Sequence, residues 1–400
     1  MLTSKHRTEH RRWLKVLTGI PTAAACEDRV IEWVRDWVGQ RRNLTIRADA
    51  AGNLVITRRG DPARPPIFMT AHLDHPAFVV RRRIDDRTVE LEFRGGVHDP
   101  YFAQAKIEIF DADGRPHRAV VTRLDPLAKP FKRVEARLRA ASPVQTGDVA
   151  RWAFRGRGAK PTIVEGMLYT PACDDLAGVA AALSTLDVLR TRKSMAHVGV
   201  LLTRAEEIGF VGAIAACKRR TIPRNARLIC IENSRSFPES PIGAGPILRV
   251  GDKLSVFSPD LTNRLSMLLG DYQRDNPRFK AQRKLMPGGT CEASTFAAYG
   301  YQATCVCLPL GNYHNMVDID GVLGGKRPAR VGPEQISMAD YHGLVELLVH
   351  FTSKLDVAPR ERMVDVMDGY HRRFGALLQG SRQKPAGGSR APILSLLATG

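Results

Sequence analysis

The sequence predicts an α/β protein with a largely parallel sheet, interrupted by a β-rich module. From about residue 166 onward helical and strand patterns alternate, which favours a sheet with helices packed on its faces. Before that point, short alternating strands with Gly and Asp-Gly turns indicate a separate β-rich block. With 400 residues, 44% of them hydrophobic and 25% charged, the chain is long enough for one large domain and a smaller one.

The N-terminal segment predicts a helix followed by three strands. Val30, Trp33, Val34 and Trp37 recur at helical spacing within "EDRVIEWVRDWVGQRR". "LTIRADAAGNLVITRRG" then predicts two strands around an Ala-Gly-Asn turn, and "PPIFMTAHLDH" predicts a buried strand that runs into a polar end. The β-rich block follows, from "TVELEFRGG" to "GDVARWAF".

The second half predicts alternating helices and strands up to a last long helix near residues 333–354. Helices are predicted for "DDLAGVAAALSTLDVLR", "GFVGAIAACKRR", "LTNRLSMLLGDYQRD" and "CEASTFAAYG". Strands are predicted for "HVGVLLTR", "RLICIEN" and "ATCVCLPL". The Gly-, Ser- and Pro-rich residues at the end of the chain, 376–400, predict a flexible tail.

Composition narrows the class of protein. The formal charge of +19 could attract polyanions, but zinc-finger spacing, an RNA-recognition signature and a Walker loop are all missing, so a dedicated nucleic-acid function is disfavoured. Seven cysteines without a C-x-x-C pair, mostly within apolar runs, indicate reduced core thiols. No run of 18 apolar residues and no signal-peptide pattern occur, so we expect a cytoplasmic protein without a membrane partner.

Imidazoles and carboxylates stand where predicted strands end, and in open α/β sheets ligands bind at that edge. Each residue alone has an ordinary interpretation: adjacent acids favour the first turn of a helix, and Asp-Asp before a helix can cap it. Together they supply a nitrogen and oxygen ligand set suited to zinc, and to manganese or cobalt with less selectivity. The residues are His72, Asp74, Asp174, Asp175, Glu206, Glu207, Glu232 and His314.

An ordered series of motifs across about residues 47–316 resembles the dinuclear-metal aminopeptidases, which include the glutamyl, deblocking and tetrahedral aminopeptidases and are related to the zinc exopeptidases. The motifs are "DAAGNLVI", "TAHLDH", "RGGVHD", "DDLAG", "EEIGFVGA", "IENSRSFPESPIGAGP", "GGTCEAS" and "NYHNM". The resemblance implies a three-layer α/β/α sandwich with an inserted small β-barrel domain. Residues 1–77 and 166–358 would form the catalytic domain, and residues 78–165 the insertion.

The resemblance also implies a set of metal ligands. His72 and Glu232 would bind one divalent ion, Glu207 and His314 a second, and Asp174 would bridge both. The two ions are expected to be zinc, with cobalt or manganese as alternatives.

Two further residues receive roles from the resemblance. Asp74 would hydrogen-bond the His72 imidazole and orient it, and Glu206 would be the general base. The peptide bond between Asp174 and Asp175 is expected to be cis.

The implied function is metal-dependent hydrolysis of peptide bonds, with removal of N-terminal residues from peptides that carry a free N-terminus. Two alternatives stay open: an amidohydrolase acting on N-acyl amino acids or small amides, and a catalytically silent basic scaffold. Leu176, Cys291 and His75 depart from the usual residues of the family, which leaves the substrate preference open. The resemblance is compatible with a homo-oligomer.

Overall fold

The computed structural model describes residues 2–59, 64–357 and 363–380. The chain forms two units, Met1–Ala358 and Pro359–Gly400, and the first contains the sheets and all predicted site residues. No helix among the described residues is both long and apolar enough to cross a membrane.

The described strands, in chain order, are β1 (Leu44–Ala48), β2 (Leu54–Arg58), β3 (Ile67–His72), β4 (Ala77–Arg83), β5 (Thr88–Arg94), β6 (Lys106–Phe110), β7 (Pro116–Asp125), β8 (Lys132–Leu138), β9 (Val149–Trp152), β10 (Thr162–Val164), β11 (Met167–Thr170), β12 (Val198–Thr203), β13 (Arg227–Arg235), β14 (Ile247–Arg249), β15 (Gln282–Lys284), β16 (Gln302–Leu310), β17 (Met316–Val317), β18 (Arg330–Val331) and β19 (Glu334–Ser337). The described α-helices are α1 (Ser4–Leu17), α2 (Asp28–Gly39), α3 (Leu176–Leu189), α4 (Val211–Arg219), α5 (Pro259–Asp275), α6 (Glu292–Ala298), α7 (Ile319–Leu323), α8 (Met338–Lys354), α9 (Met363–Phe374) and α10 (Ala376–Gly380).

An eight-stranded sheet of order β1-β2-β12-β3-β13-β16-β14-β15 forms the centre of the first unit. Its inner strands β12, β3, β13 and β16 are mutually parallel, with Thr203 opposite His72 and Glu232 opposite Cys307. Because parallel strands end at the same edge, the residues that follow them are brought together there.

Helices cover both faces of this sheet. Every residue of helix α3 except Asp187 is buried, and the helix lies between the sheet and helices α1 and α8. The opposite face packs against α4 and α6, with Phe68, Leu201 and Phe296 in the shared core. This is the predicted arrangement of helix, sheet and helix layers.

Helix α1 is an element that the sequence analysis did not assign. The Thr3 side chain accepts a hydrogen bond from the backbone N–H of His6 and caps the helix. Trp13, Leu14 and Leu17 recur at helical spacing and are buried. The capping residue and this spacing are the signals that could have predicted it.

A closed barrel of order β4-β5-β8-β7-β6-β9 lies between β3 and α3 in the chain. Phe78, Phe93, Phe102 and Trp152 fill its interior, with Phe78 and Trp152 ring centroids 4.7 Å apart. The predicted β-barrel is therefore confirmed, whereas the domain bounds 78–165 stay a prediction.

The second unit is described by α9 and α10, and neither helix was predicted. In α9, Met363, Met367, Tyr370 and Phe374 recur at helical spacing and are exposed. The tail predicted for residues 376–400 begins with α10, and from residue 381 it lies outside the described residues.

Candidate metal centre

All seven predicted metal ligands and catalytic residues lie at the edge where the parallel strands end. His72 is the last residue of β3, and the two adjacent glutamates follow β12. Glu232 lies near the end of β13, Asp174 directly precedes α3, and His314 lies in the turn after β16. The structure thus brings together side chains that are 242 positions apart in the chain.

Three of these residues form a first ligand group. The Nε2 atom of His72 lies 3.4 Å from Oδ1 of Asp174 and 3.7 Å from Oε1 of Glu232. One ligand atom from each of the three lies within 4.8 Å of the other two. Because two atoms bound at 2.0–2.1 Å to one tetrahedral ion are roughly 3.4 Å apart, this spacing suits a single zinc-sized cation.

A second group shares Asp174 with the first. The Nε2 atom of His314 lies 3.5 Å from Oδ2 of Asp174 and 3.4 Å from Oε1 of Glu207. Asp174 therefore presents one carboxylate oxygen to each imidazole, as a bridging ligand does. Oε2 of Glu206 lies 3.8 Å from His72 Nε2, on the side of the first group.

Hydrogen bonds on the other ring nitrogens fix the imidazoles for metal binding. Nδ1 of His314 donates to the backbone carbonyl of Gly96 at 2.7 Å, and Nδ1 of His72 donates to that of Asp74 at 3.2 Å. A proton on each Nδ1 leaves each Nε2 with a free lone pair toward the carboxylates. Gly96 follows β5, so the barrel orients one of the two ligands.

The buried carboxylates supply an independent test of the fit. Within the described residues, Oδ1 of Asp174 and Oε1 of Glu207 are buried and have no hydrogen-bond partner. Leaving such atoms unpaired is costly unless a cation occupies the space beside them. The residues present therefore fit two divalent ions.

The charges of the cluster lead to the same conclusion. Burial raises the pKa of Glu206, and the neighbouring Glu232 carboxylate raises it further despite the opposing effect of His72. Burial and the Asp174 carboxylate raise the pKa of Glu207. The same two effects raise the pKa of Glu232 to about 8. So many acids cannot all be ionised in one buried site unless cations neutralise them.

Asp74 holds the two adjacent glutamates in place. Its Oδ1 accepts from the backbone N–H of Glu206 at 3.0 Å, and its Oδ2 accepts from that of Glu207 at 3.1 Å. Oδ1 also lies 3.4 Å from His72 Nδ1. Asp74 thus contacts three of the predicted site residues.

Glu206 and Glu207 are not first-turn acids of α4, because the helix begins four residues later at Val211. The chain between the two glutamates and the helix is a turn. Ala205, before the pair, and Phe210, before the helix, both have left-handed backbone conformations. Their carboxylates lie beside different imidazoles: Oε2 of Glu206 is 3.8 Å from His72 Nε2, and Oε1 of Glu207 is 3.4 Å from His314 Nε2. The helix-dipole interpretation of the pair was therefore wrong.

Glu334 positions two ligand segments, and the sequence analysis missed it. This buried carboxylate accepts from the backbone N–H of His314 at 2.8 Å and from those of Cys173 and Asp174. Its segment, "VGPEQIS", has no pattern that predicts a site, because its role depends on the pairing of β19 with β11.

Asp175 supports the same region from behind. Its carboxylate accepts from the side-chain amide of Asn233 at 2.7 Å and from the backbone N–H of His72 at 3.3 Å. The peptide bond between Asp174 and Asp175 is cis, as the resemblance implies.

A cleft of about 670 Å³ opens onto the candidate metal centre. Its lining includes two residues that the sequence analysis did not single out, Arg249 and Tyr313. Arg249 is buried, and within the described residues its Nε and Nη1 atoms have no hydrogen-bond partner, while Nη2 donates to the Ser234 hydroxyl. A second cleft arginine, Arg235, is paired with Asp320.

The departures from the family pattern at His75, Leu176 and Cys291 lie outside the ligand groups, whereas Glu232, which stands where Asp is common, is a member of one. His75 contacts the backbone carbonyl of Asp174 and, at 3.0 Å, the side-chain oxygen of Asn315. Leu176 and Cys291 are buried in the cores on opposite faces of the sheet.

Comparison with known proteins gives a family likeness over part of the chain, and a fold. The model of the M42 glutamyl aminopeptidase family matches residues 143–324, which include five of the seven predicted site residues. A search of the curated proteins gives no match.

Solved structures match over nearly their whole length. A TET1 peptidase of Pyrococcus horikoshii, which can assemble into a tetrahedron or a large octahedral shell, has 19% identity and a TM-score of 0.68, covering 86% of this chain and 99% of its own. An aminopeptidase from the archaeon Desulfurococcus kamchatkensis has 21% identity and a TM-score of 0.67, covering 88% and 96%. A TET aminopeptidase from a marine sediment thaumarchaeote has 16% identity and a TM-score of 0.71, covering 88% and 97%. These structural matches confirm the predicted fold, and the partial match to the M42 family model agrees with the resemblance to the dinuclear-metal aminopeptidases.

Proposed function

We propose that this chain is a metallo-aminopeptidase that uses two divalent ions to remove N-terminal residues from peptides. The class of enzyme agrees with the M42 family match. The observation that carries the proposal is the carboxylate of Asp174, which presents one oxygen to His72 and the other to His314. Each imidazole also has a glutamate of its own, Glu232 or Glu207.

The ligands divide into two sets. His72, Asp174 and Glu232 would hold one ion, and Asp174, Glu207 and His314 the other. When bound, two such ions polarise the scissile carbonyl and lower the pKa of a water molecule toward neutrality. The mixed imidazole and carboxylate donors favour zinc, and accept manganese or cobalt with less selectivity.

Glu206 is the residue that moves the proton. Its carboxylate lies beside the first ligand set, 3.8 Å from His72 Nε2, but neither of the two sets that share Asp174 needs it. It accepts a proton from the attacking water and delivers that proton to the leaving amine. Asp74 fixes the backbone of Glu206 and so directs its side chain into the cleft.

Arg249 gives the cleft a preference for acidic N-terminal residues. A buried guanidinium with two unpaired nitrogens lacks the solvation that water would give it, so an anionic side chain that enters the cleft gains a charge-assisted contact. Arg235 contributes less, because Asp320 already neutralises it.

Self-association belongs to the same proposal, since a protein of similar fold can assemble into a tetrahedron or a large octahedral shell. Light scattering should give a mass that is a multiple of 44.2 kDa. A mass of one chain at all concentrations would contradict self-association and leave the catalytic proposal intact.

A substrate panel on the metal-loaded protein tests the activity. Matched peptides with N-terminal Glu, Leu or Lys are assayed beside their N-acetylated forms and N-acetyl amino acids. We expect release of the free N-terminal residue, fastest for Glu, and no reaction of the acetylated peptides. Hydrolysis of only the acetylated compounds would indicate the amidohydrolase alternative. No hydrolysis of any compound, with both ions bound, would indicate a silent scaffold.

A further inference from the structure

We propose that helix α9, with the turn of α10 that follows it, binds the same segment of a second copy of this chain, and that the two helices run antiparallel. This inference rests on the self-association proposed above and names one surface that provides it. It does not depend on the candidate metal centre or on the proposed peptidase activity.

Five apolar side chains recur with a heptad spacing along α9 and α10. Their separations of four, three, four and three positions are those of the a and d sites of a heptad repeat, so they lie on one face of a helix. The N–H of Gly375 donates to the carbonyl of His371 at 2.7 Å, so helical hydrogen bonding continues past the end of α9. The five residues, called the α9 stripe below, are Met363, Met367, Tyr370, Phe374 and Leu377.

The α9 stripe is exposed although it is apolar. Its members are between 47% and 72% exposed, and no residue of α9 is buried. In the described part of the chain 16 large hydrophobic side chains are exposed, and seven of them lie in α9 and α10. Single exposed apolar residues are ordinary, but a concentration of this kind marks an interaction surface.

Helix α9 needs a partner in order to be stable. It has 12 residues, and isolated helices shorter than about 12–15 residues are marginal in water. Gly369, in its interior, destabilises the helix further. Because no residue of α9 is buried within the described chain, a partner that covers the α9 stripe supplies the packing that a short helix requires.

The distribution of charge along α9 favours a second copy in antiparallel orientation. Asp365 and Asp368 lie in the first half of the helix, and Arg372 and Arg373 lie in its last turn. Antiparallel pairing brings the acidic end of each helix beside the basic end of the other, whereas parallel pairing brings like charges together. A two-fold axis then pairs the α9 stripe with itself, as in most dimers of identical chains.

A membrane surface is a poorer match for α9. Helices that lie on membranes are rich in lysine and arginine on the polar face, which attracts anionic lipid. The two aspartates of α9 balance its two arginines, so an anionic bilayer gains little attraction to this helix. The same four charges complement those of a second copy.

The antiparallel arrangement specifies which residues meet. With the two-fold axis between Met367 and Tyr370, Met363 of one copy lies opposite Phe374 of the other. The two Met363 residues then lie at opposite ends of the pair, roughly 16 Å apart along the axis at 1.5 Å per residue. A parallel pair would place the two Met363 residues side by side.

The first experiment measures the mass of the full chain by light scattering. A variant with Met367→Glu and Phe374→Glu places two charges in the α9 stripe. The matched control, with Ile84→Glu and Leu127→Glu, adds the same charge at two exposed apolar residues outside α9 and α10. We expect the mass of the stripe variant to fall at least twofold and the control to keep the wild-type mass. Circular dichroism shows that both proteins are folded.

The second experiment tests the orientation of the two helices. Two copies with different tags, one carrying Met363→Cys and the other Phe374→Cys, are expressed together and oxidised with diamide. Wild type is the control for the native cysteines. We expect a disulfide that joins the two tags, and none between two copies that both carry Met363→Cys.

A stripe variant with the wild-type mass, or a disulfide between two Met363→Cys copies, would overturn this inference alone. Binding of wild type to phosphatidylserine vesicles, lost in the stripe variant without a change of mass, would show that a membrane covers the stripe and would also overturn it. A wild type with the mass of one chain at all concentrations would overturn the proposed self-association and, with it, this inference.

Discussion

The candidate metal centre has acidic side chains that are buried and lack a basic partner, whereas the barrel has basic side chains that are exposed and lack an acidic partner. At the centre, Asp174, Glu206 and Glu232 are buried acids with no lysine or arginine paired to them among the described residues. On the barrel, the side chains of Arg118 and Arg137 are exposed, and in the described part of the chain neither has an ion pair with a carboxylate.

This difference in burial determines which of the two sets of unpaired charges matters for catalysis. A buried charge without a partner costs several kcal/mol, so the fold must obtain a counter-ion at a fixed place. Exposed charges are solvated and screened beyond roughly 10 Å at 0.1 M salt. Substitutions at the metal centre should therefore abolish peptide hydrolysis, whereas substitutions on the barrel should change its rate only slightly.

The largest effect is expected for Glu206→Gln. The amide keeps the size of the side chain but cannot accept the proton from water, so turnover should fall by roughly 10²–10⁴ or more. Metal content and thermal unfolding should stay at wild-type values, because Glu206 is not needed as a ligand. Peptide turnover and elemental analysis of the purified variant check this, and retained activity would contradict the role.

Glu207→Gln should fail differently, although it changes the adjacent residue. It removes a negatively charged ligand from the second ion, so metal content, thermal stability and activity should fall together. Added metal should partly restore activity. Equal metal loss in Glu206→Gln and Glu207→Gln would contradict the assignment of Glu206 as general base and Glu207 as metal ligand.

A smaller effect is expected at Arg249, which should change selectivity more than rate. Arg249→Met should reduce the preference for N-terminal Glu over Leu by roughly tenfold to a hundredfold, since hydrogen bonds to charged groups contribute about 1.5–3 kcal/mol. Arg235→Met is the matched control, because that arginine lines the same cleft but is already paired. If both variants change the ratio equally, Arg249 does not select the substrate.

The smallest effect is expected on the barrel. Replacing Arg87, Arg118, Arg137 and Arg139 by Gln should change the ratio of acidic to basic peptide turnover by a few-fold at low salt and not at high salt. Arg81 and Arg82, which are paired with Glu90, give a control pair that should change less. A wild-type ratio that does not depend on salt would leave the barrel arginines with a role in solubility only.

The position of the candidate site could be predicted from the sequence because its residues follow strand-length apolar runs. His72, Glu207 and His314 each come at or after such a run, and parallel strands end at one edge. The strand-length apolar runs and the place of each polar residue at their ends therefore predict that these side chains meet, although no distance is known from the sequence. The β-barrel was predictable for a similar reason, since its short alternating strands are separated by turn residues.

Residues that act through tertiary contacts could not be predicted. Glu334 reaches the site only because β19 pairs with β11, and its own segment has no distinguishing pattern. Arg249 is one arginine among many in a basic chain, and its importance comes from being buried with two guanidinium nitrogens, Nε and Nη1, that have no hydrogen-bond partner within the described residues. The stacking of Tyr313 on His314 depends on a turn in which Asn312, His314 and Asn315 have positive φ values, a conformation that the sequence pattern does not specify.

The number of metal ions bound per chain tests the central claim most directly. Metal-free wild type and Asp174→Ala would be titrated with zinc, with circular dichroism as the control for folding. We predict two ions per wild-type chain and, in the folded variant, the loss of tight binding at both sites, because Asp174 presents an oxygen to each. A wild type that binds one ion or none, or a variant that still binds two with unchanged affinity, would contradict a centre bridged by Asp174.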